Sequence, residues 1–182
     1  MVGRGTSAKK LNALLLCCLS ETASLLEMHQ ERLLKAETDV VHLLRTGQSQ
    51  RVLLWVERVI KERNIVDVLF MVLRIIRILI ENIPKIKTRK CCPVELREAV
   101  ASLVYAAPRC GECPGLLRLA NLLISKFMKH CFDCSSEANQ KMVQMLSTAQ
   151  SSWMTRLEIM KEIADVNAIA LNLNRISLSE LD

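Results

Sequence analysis

From Lys9 to Arg45 the chain contains neither Gly nor Pro. Apolar residues recur at Leu11, Leu15, Cys18, Leu25, Leu33, Ala36, Val40 and Leu44, at multiples of three to four. That spacing predicts one amphipathic helix of about ten turns, near 55 Å long. Thr46-Gly47-Gln48 ends it, with Gly47 suited to the left-handed position just past a helix C-terminus. A second long helix is expected from about Gln50 toward Asn82, with Asn64 a candidate break. Two long helices joined by so short a connection run antiparallel. From Ile65 the second helix is apolar almost all round, so it must be buried on several sides. Later segments must therefore pack on the hairpin. The fold class is all-α, a long antiparallel helical hairpin with shorter helices packed on it.

The rest of the chain supplies those helices. Pro84 is expected to end the second helix, and Lys85-Ile86-Lys87-Thr88-Arg89-Lys90 reads as a basic connector. Pro93 suits a first helical position, and Leu96, Val100, Leu103 and Val104 share one face of the helix that follows. Pro108 biases Ala107 away from the helical region and closes it. Pro114 or Gly115 opens a helix to about His130, with Leu116, Ala120, Leu123, Phe127 and His130 on one stripe. Ser135 or Ser136 starts another, to about Ser147. Ser151 or Ser152 caps a last one through about Ala168. Residues 1–8 are expected as a flexible lead, 9–169 as the helical domain and 170–182 as a short tail.

Composition narrows the function classes. Apolar residues make up 51% of the chain and aromatics 3%, with net charge +6 and pI about 9.0. The basic excess fits an acidic partner. Nucleic acid is disfavoured, because the few aromatics lie outside basic clusters and base stacking needs both together. The N-terminus lacks the apolar core of a secretory signal, so the eight Cys are expected as reduced thiols in the cytoplasm. Ile65 to Ile80 is short for a spanning helix, which needs roughly 20 apolar residues. It also carries Asp67, Arg74 and Arg77, each costing about 2.5–3.5 kcal/mol at a bilayer centre. A buried core helix is the expectation.

The sharpest chemical pattern is Cys110-x-x-Cys113 with Cys131-x-x-Cys134. On spacing alone it reads as a four-thiolate zinc site, and a zinc- or thiol-dependent helical adaptor is the alternative function it suggests. Zinc needs its sulfurs about 2.3 Å from one point. The intervening helix would set the two pairs roughly 25 Å apart. No metal and no cofactor is therefore expected. His29, His42 and His130 have no clustered ligands, and no nucleophile, acid–base pair or phosphate-binding loop is present in the pattern. No catalytic residue is expected.

Four stretches carry a resemblance. Cys92-Pro93-Val94-Glu95-Leu96-Arg97-Glu98-Ala99, continuing through Tyr105-Ala106-Ala107-Pro108-Arg109-Cys110, resembles the signature of the increased-sodium-tolerance family. Lys10 to Arg45 resembles the family's first long helix. Arg51-Val52-Leu53-Leu54-Trp55-Val56-Glu57-Arg58-Val59-Ile60-Lys61-Glu62-Arg63 resembles its second-helix motif. Asn139 to Ser147, followed by Glu158 to Ala164, resembles the end of its domain. The four occur in the family's order and cover about residues 9–169.

The resemblance implies an ESCRT-III-like core and a non-enzymatic regulator of the AAA ATPase in the multivesicular body pathway. The implied partner is an ESCRT-III subunit of the charged multivesicular body class-one type, with the AAA ATPase as a further one, on endosomes. The partner-facing surface expected is Glu57, Arg58, Lys61 and Arg63 on the second helix with Lys161 and Glu162 on the last. Weak contact with an anionic membrane is expected at Lys9, Lys10, Arg32 and Lys35, interrupted by Glu21, Glu27, Glu31 and Glu37. Several features depart from the family, among them a shorter insert before Asn139 and a first helix poorer in cations than the family's membrane-binding faces. The connector after Pro84 carries more cations than is usual. Around Arg175-Ile176, Asn172 and Ser179 stand where the ATPase-binding pattern has Leu.

Overall fold

The computed structural model describes residues 3–111, 113–128 and 134–171, and every regular element among them is helical. α1 spans Gly3–Arg45 and α2 spans Ser49–Glu81. A short α3, Ile83–Thr88, is followed by a 3-10 turn at Val94–Leu96 and by α4, Arg97–Ala106. α5, Pro114–Leu123, continues as a π-helical turn, Ile124–Met128. α6 (Cys134–Glu137), α7 (Gln140–Met145) and α8 (Trp153–Val166) complete the order. The helices assort into two compact units. One is Met1–Met28 with Ile65–Ser147, the other His29–Asn64 with Thr148–Asp182.

The second unit contains the turn of the hairpin. Gly47 has φ +71°, and its N–H bonds the Leu44 carbonyl at 3.2 Å while Gln48 N–H reaches Leu43 at 3.1 Å. This pair of bonds satisfies the last carbonyls of α1 and turns the chain back on itself. The end of α1 and the start of α2 then lie antiparallel. Ala36 and Val40 face Val52, Val56 and Val59, and α8 adds Leu157, Met160 and Ile163 to the same core. Ser152 caps α8, its hydroxyl accepting from Thr155 N–H at 3.1 Å.

The first unit is built on the other half of α2. Between Ile65 and Ile80 the exposed residues are Asp67, Phe70, Arg74 and Arg77, three or four apart on one narrow stripe. The remaining faces are buried or half-buried, with Leu69, Ile76 and Leu79 fully enclosed. The expected core helix is therefore present. α4 packs against α5, α6 and α7, and the stripe Leu116, Ala120, Leu123 and Phe127 is buried as its spacing requires. His130 lies outside the described residues. The Lys9–Arg45 part of α1 is long and apolar enough to cross a membrane. Its Leu11, Leu15, Cys18, Leu25, Ala36 and Val40 are buried in the protein, while Leu16 and Leu34 are exposed and 33% of its most apolar stretch is buried.

Several local expectations are corrected. Helix α1 already includes Gly3 to Ala8, expected as a loose lead. Asn64 breaks nothing, since α2 passes through it as one helix; Asn is only a weak helix opponent. What changes there is the packing, because Asn64 and Ile65 belong to different units. Pro84 opens α3 near its first position instead of only ending α2, so most of the basic connector is helical. Ala107 keeps a helical conformation (φ −49°, ψ −46°) in spite of Pro108, and its N–H still bonds Leu103. The single helix expected from Ser135 to Ser147 is two. Asn139 interrupts it and caps α7, its Oδ1 accepting from Met142 N–H at 3.2 Å. The expected tail beyond Leu171 lies outside the described residues.

Candidate partner-binding surface

In the second unit, Arg58 and Lys61 lie on the outer side of α2, while Arg63 lies on the side of Val52, Val56 and Val59 that packs toward α8. Arg58 and Lys61 are exposed, as are Lys161 and Glu162 on α8. Arg58 stacks over Trp55, its guanidinium carbon 5.8 Å from the ring centre. Arg63 is drawn inward. Its Nη2 meets Glu37 Oε1 at 2.7 Å on α1, and its Nη1 meets Glu162 Oε1 at 3.1 Å on α8. One guanidinium thus ties three helices, which suits its fork of fixed donors. Nearby, His29 Nδ1 and Glu62 Oε2 lie 2.7 Å apart, both largely buried.

Glu57 must be removed from the expected surface. It is 7% exposed, and its carboxylate accepts from Ser151 N–H at 3.1 and 3.3 Å, while Lys61 lies 3.5 Å away. The sequence missed this because Ser151 is far along the chain and the motif looks like an ordinary charged helix face. With Glu57 enclosed and Arg63 and Glu162 paired to each other, the expected residues left exposed are Arg58 and Lys61 on α2, next to exposed Leu54, and Lys161 on α8, two turns from exposed Met154.

In the first unit, α2 and α4 border a groove of 350 Å³. Met71, Ile75, Ile78 and Ala99 give it an apolar floor, and Arg74, Glu95 and Glu98 a charged rim. Asn139 closes one end, donating Nδ2–H to Glu98 at 2.8 Å and its own N–H to Ser102 Oγ at 2.9 Å. Such a cleft, apolar below and charged above, suits the apolar face of a short amphipathic helix. The family-like signature supplied its α4 wall, but its α2 wall was not distinguishable from core.

The cysteines do something else. Cys110 and Cys113 are each 1% exposed and Cys18 is fully buried. Burial pushes the Cys18 and Cys110 thiols up to about 12 and raises Cys113 as well. Thiols held in that form are poor metal ligands and nucleophiles. α5 and the π-helical turn occupy the segment between the two Cys pairs, which gives the length that separates them. Cys131 and the Cys134 side chain lie outside the described residues. Among the described residues no group of three His, Cys, Asp or Glu could hold a metal. The zinc alternative finds no support.

Cys113 instead joins a hydrogen-bonded cluster around Glu21. The Glu21 carboxylate accepts from Gly115 N–H at 2.7 Å and from the Cys17 and Cys113 thiols at 3.2 and 3.6 Å. A Cβ on Gly115 would lie 2.6 Å from that carboxylate, so glycine is what admits it. The Cys17 thiol and then the Gly115 amide hold the Glu21 carboxyl below its ordinary range. A carboxyl depressed in the folded state stabilises above its unfolded value, about 4.3, and loses that contribution as pH falls through its folded value. Urea midpoints measured from pH 6 downward should therefore fall less steeply for Glu21→Gln than for the natural chain.

Of the four residues expected at a membrane, Lys9 and Lys10 are exposed in the first unit and Arg32 and Lys35 in the second. Exposed Glu27 and Glu31 lie between them on the same helix.

Known proteins fit this architecture. The crystal structure of the Ist1 N-terminal domain of Saccharomyces cerevisiae, solved in complex with the Did2 MIM motif, matches with a TM-score of 0.80 at 19% identity, covering 94% of this chain and 97% of that one. That likeness establishes the fold. The family model for Ist1, regulator of Vps4 activity in the MVB pathway, matches residues 13–170. An all-α hairpin with this signature over nearly its whole length therefore belongs to the Ist1 family of Vps4 regulators in the MVB pathway.

Proposed function

We propose that the chain is a non-enzymatic scaffold that binds a C-terminal helical motif of a class-one ESCRT-III subunit at endosomes and thereby modulates the Vps4-type ATPase. The family match over residues 13–170 carries this reading. The related yeast domain was solved holding a short motif of another protein, which supports the same mode of action here. The α2–α4 groove is the favoured seat. It offers an apolar floor for the anchoring side chains of a helix between two helices, whereas Leu54 and Met154, 57% and 58% exposed, stand beside Arg58, Lys61 and Lys161 at helical spacing and make that side the competitor to test. Contact with an anionic membrane through Lys9, Lys10, Arg32 and Lys35 would be weak, because the intervening glutamates offset it.

The test is fluorescence anisotropy of a labelled C-terminal peptide from such a subunit, titrated with the full chain. Saturable binding in the micromolar range is expected. Ala99→Gln, which fills the groove floor with a good helix former, should weaken it by at least about tenfold, or 1.4 kcal/mol. The double variant Arg58→Glu, Lys161→Glu should change it little. The opposite pattern would move the motif to the second unit. No binding at all would remove the scaffold reading. Addition of the chain to the ATPase should change its turnover, and no change would remove the regulatory half.

A further inference from the structure

A second concavity, of 590 Å³, lies between α3 and the turn that opens α4. It has the volume of a small-ligand site, for which about 300–1,000 Å³ is usual. Its walls carry Lys85, Arg89, Lys90 and Arg97 against one carboxylate, Glu95. Lys85 Nζ meets Glu95 at 3.0 Å, with both side chains more than half exposed. Arg97 meets Glu137 at 3.6 Å. Arg89 and Lys90 are exposed at the mouth.

Glu95 offsets Lys85 and Glu137 offsets Arg97, and exposed Arg89 and Lys90 at the mouth leave the concavity with a net positive charge. An anion of several charges, small enough to enter, is the complementary occupant. Guanidinium forks and ammonium groups together suit closely spaced phosphates. A second feature points to where those phosphates come from. Val94, on the wall of the same concavity, is 75% exposed. An apolar side chain standing clear of the surface beside a ring of cations matches the boundary between lipid head groups and acyl chains.

We propose that this concavity binds the polyphosphorylated inositol head group of a membrane lipid, with Val94 entering the acyl boundary. The site is separate from the α2–α4 groove apart from Glu95, which borders both. Its failure would leave the partner reading intact.

Sedimentation of the full chain with vesicles tests it. Vesicles containing phosphatidylinositol bisphosphate should bind the chain more tightly than phosphatidylserine vesicles of matched total charge. Arg89→Ala with Lys90→Ala should weaken that binding about 30-fold, which corresponds to about 1 kcal/mol for each cation lost near an anionic surface. Both positions are exposed, so the fold should survive the change. Arg51→Ala with Lys141→Ala removes the same charge elsewhere and should have far less effect. Glu95→Gln, which releases Lys85, should tighten binding. Equal binding to both vesicle types, or equal losses in the two double variants, would overturn the proposal. Binding of soluble inositol hexakisphosphate without any binding to vesicles would overturn the lipid as its source.

Discussion

Met160→Ala should lower stability by about 2–5 kcal/mol, the usual cost of emptying a fully enclosed core position. Met160 is 0% exposed and sits on α8 between Leu157 and Ile163, against Ala36, Val40, Val56 and Val59. That core joins three helix segments and has few members, so a cavity there has little to collapse onto. In a chain of this size each kcal/mol moves the melting temperature about 2–4 °C, so a fall of roughly 4–20 °C is expected by circular dichroism. Met154 provides the control. It lies on the same helix but is 58% exposed, and its replacement by Ala should stay within about 0.5 kcal/mol. Similar small losses at both positions would mean that α8 is not held by this core. The consequence reaches the surface too, because α8 carries Lys161 and Glu162, and Glu162 holds one arm of Arg63.

The hairpin was legible because its signals are local and repeated. Apolar spacing from Leu11 to Leu44 and one glycine at position 47 suffice to define two antiparallel helices. The buried character of the Ile65–Ile80 half followed from its having almost no polar face. Misplaced boundaries occurred where one side chain overrides a general tendency. Pro84 starts a helix as readily as it ends one, and Asn139 caps α7 because its Oδ1 reaches Met142 N–H. Ala107 stays helical because its N–H still bonds Leu103. The site was less legible for a different reason. Which charges on a helix face solution is decided by partners far along the chain. Arg63 finds Glu162, Glu57 finds Ser151, and Glu21 finds Gly115. No periodicity encodes those pairings. The regular spacing of the two Cys-x-x-Cys pairs suggested a metal, yet Cys113 is used as a buried thiol donating to Glu21.

Glu57→Ala should be the most damaging change among the charged residues of the second unit. Its carboxylate accepts the Ser151 N–H, one residue before the Ser152 cap of α8. The bond therefore fixes the point at which the chain enters that helix. Hydrogen bonds to charged groups contribute about 1.5–3 kcal/mol, and removal of the acceptor leaves a donor in a part-buried place. A loss of about that size is expected in urea unfolding, together with faster hydrogen exchange at Ser151. Glu57→Gln keeps an oxygen acceptor and should recover most of the stability and the slow exchange. Lys61→Ala separates the remaining contribution. The Lys61 ammonium is 58% exposed and 3.5 Å from Glu57, and exposed pairs of this kind are worth about 0–1 kcal/mol. Should Glu57→Gln prove as damaging as Glu57→Ala, and Lys61→Ala nearly as damaging as either, the ion pair within α2 and not the backbone bond to Ser151 would be the main contribution of Glu57. The second-helix motif would then owe its Glu to an electrostatic role at the surface, and not to the closing of a loop some ninety residues away.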